Sequence, residues 1–359
     1  MPYGKGNHEF FNILLNDLTS SIFLSRLYKT DERSMKLIVV TGGAGFIGSA
    51  YVWYLNQKGF DNIIIVDKLR TSDKWKNLRN KKFEDYIEKE KFLELIKSNK
   101  IPTIDIIIHM GACSSTTERD ADYMMSNNYE YSKILAKWCA ENNKRLIYAS
   151  SGATYGDGSL GYSDSNETTL KLKPLNIYGY SKQLFDLWVL KHNLDKKFVG
   201  LKFFNVFGPN EYHKEDMRSV VCKAYFQIKN TGKLKLFKSH KKGIADGEQK
   251  RDFVYIKDVI KIMHFFFENP QITGIYNVGT GKARSFKDLA KATFKAMGKP
   301  VRIKYIPMPV SIRDRYQYFT QAEISKLRNA GYTEEFTSLE DAIKDYVQNY
   351  LMNEQDPYL

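Results

Sequence analysis

The stretch Leu37-Ile38-Val39-Val40-Thr41-Gly42-Gly43-Ala44-Gly45-Phe46-Ile47-Gly48 constrains this chain more than any other. Four apolar, mostly β-branched residues predict a buried parallel strand, and glycines follow at once. Gly42, Gly45 and Gly48 stand in G-x-x-G-x-x-G spacing, and the amphipathic run from Phe46 to Leu55 predicts the helix they open. Strand, tight glycine turn and helix N-terminus together form a pyrophosphate cradle. The backbone approaches the phosphates closely there, and unpaired N–H groups with the helix dipole favour the anion. A glycine pattern alone is a weak signal. It gains force from a second strand, Asn62-Ile63-Ile64-Ile65-Val66, which ends in the acid Asp67 about twenty residues on.

A net charge of +14 raises nucleic acid as a partner. The lysines are scattered over the whole length without a basic-aromatic platform, so no nucleic-acid partner is expected. No apolar run is long enough to span a bilayer, so no membrane partner is expected either. Cys113, Cys139 and Cys222 are odd in number, far apart and free of any C-x-x-C, which fits a reducing, cytoplasmic setting and no disulfide framework. The histidines show no ligand-like pairing, and no metal site is expected.

Residues 1–34 precede the first strand. They carry an apolar patch from Phe10 to Leu15, interrupted by Asn16-Asp17, and acids that argue against a targeting peptide. They are expected to be a non-catalytic extension. From Met35 strands and helices alternate. A basic loop with Lys68, Arg70 and Lys74 follows Asp67, then a strand near Phe83 and a helix from about Lys89 to Ser98. Ile104 to Ile108 is the next buried strand and runs into the small-residue turn from His109 to Ser114. Tyr123 to Asn142 reads as one long helix, Arg145 to Ala149 as a strand, Tyr178 to His192 as a helix and Phe198 to Phe203 as a strand. This alternation predicts an α/β fold, a doubly wound parallel Rossmann sheet with ligands outside the strand carboxyl ends. Residues 35–205 would form the dinucleotide-binding domain. The stretch Arg251 to about Val278 is expected to return to its sheet, within about 251–280. Residues 206–250 and 281–351, with the helix Ser285 to Met297, would form a smaller C-terminal substrate-binding lobe.

Tyr178-Gly179-Tyr180-Ser181-Lys182 holds a Tyr-x-x-x-Lys pair. On a helix, i and i+4 share a face, so Lys182 would lie beside the Tyr178 phenol and pull its pKa towards the range of a general base. Ser151, at the carboxyl end of the Tyr148 strand, can hydrogen-bond a reacting alcohol or ketone. Such a Ser-Tyr-Lys set deprotonates a hydroxyl while hydride leaves its carbon for a nicotinamide.

With Gly42 to Gly48 these residues resemble the extended short-chain dehydrogenase/reductase family and, within it, the ADP-heptose 6-epimerases. The resemblance is carried by Gly111-Ala112-Cys113-Ser114-Ser115-Thr116-Thr117-Glu118, by Tyr123 to Tyr129, by Tyr148 to Gly156, and by Leu175 to Lys182. Phe204-Asn205-Val206-Phe207-Gly208-Pro209-Asn210-Glu211, Arg315-Tyr316-Gln317 and Phe319 to Ala322 add to it, so that it spans Met35 to Leu351.

The resemblance implies epimerisation at carbon 6 of ADP-D-glycero-D-manno-heptose, supplying lipopolysaccharide core synthesis, in a homo-oligomer, often a pentamer. It implies bound NADP held by Phe46, Ile47, Asp67, Lys68, Lys74 and Lys89, by Met110, Gly111, Ala112, Cys113 and Ser114, and by Asn127, Lys182, Val206 and Lys214. Tyr178 and Lys214 would exchange protons. Asn205, Phe237, Lys238, Ser239, His240, Arg251 and Tyr316 would contact the sugar nucleotide, with Arg251 suited to a diphosphate. Asp216 and Lys223 occupy further substrate positions but depart from the usual Ser and His, and Arg119 stands where Trp is common. Another NAD(P)-dependent nucleotide-sugar epimerase or reductase would share the fold and the Ser-Tyr-Lys set without needing His213-Lys214. A 4,6-dehydratase wants acids after Thr154, where Tyr155-Gly156 stands, and a non-catalytic cofactor-binding protein typically lacks the Tyr or the Lys.

Overall fold

The computed structural model describes residues 36–101, 103–313 and 316–359. The expected extension 1–34, Met35 and Arg315 lie outside the described residues. The alternation resolves into β1 (Ile38–Thr41), α1 (Phe46–Gln57), β2 (Ile63–Asp67), β3 (Asp85–Glu88), α2 (Lys89–Lys97) and β4 (Ile106–His109). After β4 the chain is α-helical over Ala121–Met124, π-helical over Met125–Glu130 and α-helical again in α3 (Tyr131–Glu141). Then come β5 (Arg145–Ser151), α4 (Ile177–Lys191), β6 (Val199–Phe203) and β7 (Asn205–Phe207). The remainder holds α5 (Val220–Thr231), β8 (Leu234–Phe237), β9 (Lys250–Tyr255), α6 (Ile256–Glu268), β10 (Gly274–Val278), β11 (Ala283–Ser285), α7 (Phe286–Ala296) and β12 (Ile303–Ile306).

Seven strands form one parallel sheet in the order β10-β6-β5-β4-β1-β2-β3. The sequence makes this sheet because β1, β2 and β4 are apolar almost throughout and every residue of each is buried. Successive residues face opposite sides. Ile38 and Val40 pack with α1 and α6, while Val39 packs with α2 and α3. The order reverses between β1 and β4, so the crevice beyond their carboxyl ends is the topological switch point where ligands bind.

Two expectations need correction in part. The stretch 251–280 does complete the main sheet, but through β10 alone; Arg251 to Tyr255 does not return to it. The free edge of β6 is taken by β10, and β9 pairs instead with β7 in parallel and with β11 in antiparallel. β8 and β12 form a further parallel pair in the same part of the molecule. The helix expected from Tyr123 to Asn142 runs unbroken from Ala121 to Glu141 but includes a π turn over Met125–Glu130. That turn carries two consecutive polar residues used on different partners: Asn127 Oδ1 accepts from Lys89 Nζ at 2.6 Å, and Asn128 Oδ1 accepts from Cys113 N at 2.8 Å.

Candidate active site

A cavity of about 670 Å³ opens at the switch point. Its floor is the glycine turn. Gly42 has φ +67, and a Cβ there would lie 2.6 Å from the Gly111 nitrogen, so the β1 and β4 ends approach as closely as two backbones can. A Cβ on Gly48 would meet the Gly42 carbonyl oxygen at 2.2 Å, which fixes how tightly α1 leaves the strand. The α1 N-terminus at Gly45 has no side-chain cap. Its first-turn N–H groups therefore face the cavity in want of an acceptor, as a diphosphate would supply.

Asp67 ends β2 with both carboxylate oxygens occupied. Oδ2 accepts from Ala44 N at 2.9 Å, while Oδ1 accepts from Lys68 N at 2.7 Å and pairs with Lys74 Nζ at 2.5 Å. A second cavity of about 470 Å³ continues from there and is lined by Lys68, Arg70, Lys74 and Lys89 against Asp67 and Glu90, with Asn127 beside them. Cations outnumber carboxylates in this cavity.

At the other end of the larger cavity, Ser151 closes β5 and Tyr178 and Lys182 project from α4, whose N-cap Asn176 accepts from Gly179 N at 2.8 Å. The Ser151 hydroxyl faces the Tyr178 phenol across the cavity end. Burial holds that phenol above the usual tyrosine range, with Ser151 pulling the other way. Lys182 Nζ donates to Ala149 O at 2.9 Å, and burial pulls its pKa down to about 8. The expectation that Lys182 depresses Tyr178 in the free protein is thus corrected. The ammonium is turned to a backbone carbonyl, and the phenol's partner is Ser151.

Lys214 enters the same cavity from the 3₁₀ turn Tyr212–Met217. Its Nζ lies 5.5 Å from the Phe46 ring centroid. Burial lowers its pKa, opposed by the Glu211 carboxylate. Glu211 is itself buried and anchors the turn, accepting from Ser219 Oγ at 2.7 Å and from the Ser219 and Gly208 amides.

Behind the floor, His109 Nδ1 lies 2.6 Å from Thr41 Oγ1 and Nε2 2.8 Å from Ser132 Oγ. Ser132 spends its proton on Asn128 O, so Nε2 carries the imidazole proton and Nδ1 accepts from Thr41. Burial lowers the His109 pKa from 6.5 to about 3, so the folded state holds it neutral. Between those values the unfolded chain binds the extra proton, and stability present above about pH 6.5 is lost as pH falls. His109→Gln is expected to flatten the fall of unfolding free energy between pH 6.5 and 5 by about 1.4 kcal/mol per pH unit. Urea titrations at several pH values check this; identical slopes in both proteins would contradict it.

The chain matches the family described as "NAD dependent epimerase/dehydratase family" over residues 38–279. The chain belongs to that family. A curated relative from Nitratidesulfovibrio vulgaris (strain DP4), named ADP-L-glycero-D-manno-heptose-6-epimerase, is 53% identical over 90% of this chain and 100% of its own length. One of the same name from Fusobacterium nucleatum subsp. nucleatum is 55% identical over the same shares. A solved Helicobacter pylori ADP-L-glycero-D-manno-heptose-6-epimerase superposes with TM-score 0.75 at 30% identity, covering 90% of this chain and 98% of that one. Epimerisation with a nicotinamide cofactor is therefore the activity class of this family member.

Most residues expected at the site line the larger cavity. Gly42, Gly45, Phe46, Ile47, Gly48, Asp67 and Lys74 do so, with Met110 through Ser114, Ser151, Tyr178, Lys182, Asn205, Val206 and Lys214. Lys68, Lys89 and Asn127 line the second. Arg251 lines neither. It is buried, with its guanidinium 5.1 Å from the Tyr316 ring and 5.7 Å from that of Phe286, a residue of the larger cavity wall. Phe237 meets Tyr316 edge to face at 6.5 Å. Lys238 is exposed. Ser239 N donates to Asp246 and His240 N to Tyr318 OH, so this loop stands beside the Arg251 group rather than in the cavity.

Asp216 and Lys223 do not join the cavity lining. Asp216 is exposed on the 3₁₀ turn, and Lys223 points outward from α5, whose inner face is Val221, Cys222, Ala224 and Tyr225. Sequence reasoning missed Met217, Arg218, Phe253 and Phe286, all in the cavity wall. Among the described residues no group of His, Cys, Asp and Glu could hold a metal ion, and no helix is long and apolar enough to cross a membrane.

Proposed function

We propose that this chain epimerises carbon 6 of ADP-D-glycero-D-manno-heptose to the L-glycero form, with bound NADP. The observation that carries the reading is that two proton-exchanging groups from different elements, Tyr178 of α4 and Lys214 of the 3₁₀ turn, line one cavity. The uncapped α1 N-terminus and the close glycine turn fit a dinucleotide, whose nicotinamide when bound accepts a hydride from carbon 6 and returns it to the opposite face. Inverting a carbinol this way requires the transient carbonyl to present its other face, so a single base fixed beside the first hydroxyl position is badly placed for the second.

Tyr178, with Ser151 beside it, takes or gives the proton in one orientation. Lys214, its pKa lowered by burial, does so in the other. Lys182 holds its ammonium at the Ala149 carbonyl in the cavity, where it would help to hold the cofactor.

The preference for NADP rests on Asp67. A free carboxylate would repel a 2′-phosphate, but this one is neutralised by Lys74, and Lys68, Arg70 and Lys89 line the adjoining cavity. Each charge-assisted contact to a phosphate contributes about 1.5–3 kcal/mol. The test is incubation with ADP-D-glycero-D-manno-heptose and NMR analysis of carbon 6, with the nucleotide released by heat identified in parallel. L-glycero product without added reductant and released NADP are expected. Unchanged sugar would refute the substrate, and NAD alone in the supernatant would refute the cofactor.

A further inference from the structure

Beneath the strand end that carries Ser151 lies a charge pair that none of the chemistry above uses. Lys202 of β6 and Asp186 of α4 are both 0% exposed, with Nζ 2.7 Å from Oδ2. Every polar atom of the pair is engaged. Ser150 Oγ donates to Asp186 Oδ2 at 2.6 Å and Tyr148 OH to Oδ1 at 3.1 Å. Lys202 Nζ also donates to Thr154 Oγ1 at 3.0 Å and sits 5.4 Å from the centroid of the Tyr155 ring. The Thr154 hydroxyl in turn donates to Ser151 O at 2.8 Å. A fully buried ion pair adds little net stability over apolar side chains of the same volume, so stability alone does not account for it.

We propose that Asp186 and Lys202 are positioning residues that hold Ser151, Tyr178 and Lys182 in mutual register. The argument starts from helix spacing. Tyr178, Lys182 and Asp186 stand at i, i+4 and i+8 of α4 and share one face. That face docks on β5, and three consecutive residues of the strand end are each fixed by it or through it. Ala149 O accepts from Lys182, Ser150 Oγ donates to Asp186, and Ser151 O is held by Thr154, which Lys202 holds. Side chains alternate along a strand, so anchoring Ser150 on one side fixes the side to which Ser151 is turned. One carboxylate thereby ties the helix that carries the phenol to the strand that carries the hydroxyl, and Lys202 extends the tie to β6.

The pair also has an electrostatic reach. Lys182 is faced by Tyr178 and Asp186 from its own helix, by Cys113 from the turn after β4, and by neutral His109 at the β4 end. Asp186 is the carboxylate that opposes the burial effect on Lys182. Removing it withdraws support for the protonated lysine.

Two variants separate positioning from mere filling. Asp186→Asn keeps a hydrogen-bonding side chain but leaves the Lys202 charge buried alone, which endangers folding. The double variant Asp186→Leu with Lys202→Met removes both charges and is expected to fold with a melting temperature near that of the natural protein. Its kcat is expected to fall about 10²-fold, the cost of an ångström-scale misplacement of reacting groups, with KM little changed. The basic limb of its pH–kcat profile should move to lower pH than in the natural protein, because Asp186 is the carboxylate that supports the protonated Lys182.

This inference rests on the proposed roles of Ser151, Tyr178 and Lys182. Absence of turnover in the natural protein would count against those roles, whereas NADPH fluorescence titrations across pH read Lys182 without any sugar. A folded double variant with natural kcat, or with NADPH affinity falling at the same pH as in the natural protein, would overturn the positioning role.

Discussion

Tyr178→Phe and Lys214→Met are each expected to lower kcat by about 10²–10⁴-fold, the usual contribution of a positioned acid–base group, with both proteins keeping their bound dinucleotide. The two losses arise differently. Tyr178→Phe deletes the phenolic oxygen beside Ser151 and leaves the Lys182–Ala149 contact intact, so the cofactor side of the cavity is unaltered. Lys214→Met replaces a buried ammonium lying over the Phe46 ring by a side chain of similar length, and Glu211 remains held by Ser219 and Gly208. The turn therefore keeps its anchor, and the effect reports the proton rather than the fold. Steady-state kinetics with nucleotide content measured on each preparation decides the matter. A Lys214→Met enzyme with raised KM and natural kcat would make Lys214 a binding residue only.

Arg251→Ala is expected to raise KM for the sugar nucleotide about 10–10²-fold with kcat within a few fold of the natural value, because one charge-assisted contact is worth about 1.5–3 kcal/mol. Arg251 is 8% exposed, lies between the Tyr316 and Phe286 rings, and donates to Lys250 O at 2.8 Å. Among the described residues it makes no salt bridge. Burial lowers its pKa, with Tyr316 and Tyr162 opposing, so the guanidinium gains from an anion that brings its own charge. Arg251→Lys should fall between, since a point charge replaces a planar fork. Calorimetry with ADP alone supplies the check: ADP bound equally well by natural and Arg251→Ala proteins would remove Arg251 from the diphosphate site.

The sequence was most legible where one residue type had one reason to be present. Continuous β-branched runs at Ile38, Ile63 and Ile106 could only be strands buried on both faces, and the glycines between β1 and α1 had only a close approach to serve. Partner choice was less legible. Arg251 to Tyr255 reads as a strand in either sheet, and only the occupation of the β6 edge by β10 sends it to β7. The Tyr178–Lys182 spacing gave the shared face but not the rotamer, and the ammonium turns to Ala149. Asp186 was within reach of the same spacing, one further turn along the helix. Lys202 was signalled by standing alone in the apolar run from Phe198 to Phe204, where a charge needs a buried partner.

The pairing of β10 with β6 bears on how the protein is made. Synthesis delivers all the other strands of the main sheet by Phe203, yet the outer edge of β6 waits for Gly274 to Val278. Until then Val199 to Phe203, buried throughout in the finished protein, presents unpaired backbone along an apolar edge, the form most prone to join a strand from another chain. The intervening residues include the whole of β7, β8 and β9 with α5 and α6, so these elements emerge while the main sheet is unfinished. A nascent chain stalled in that interval is the species that most needs a chaperone.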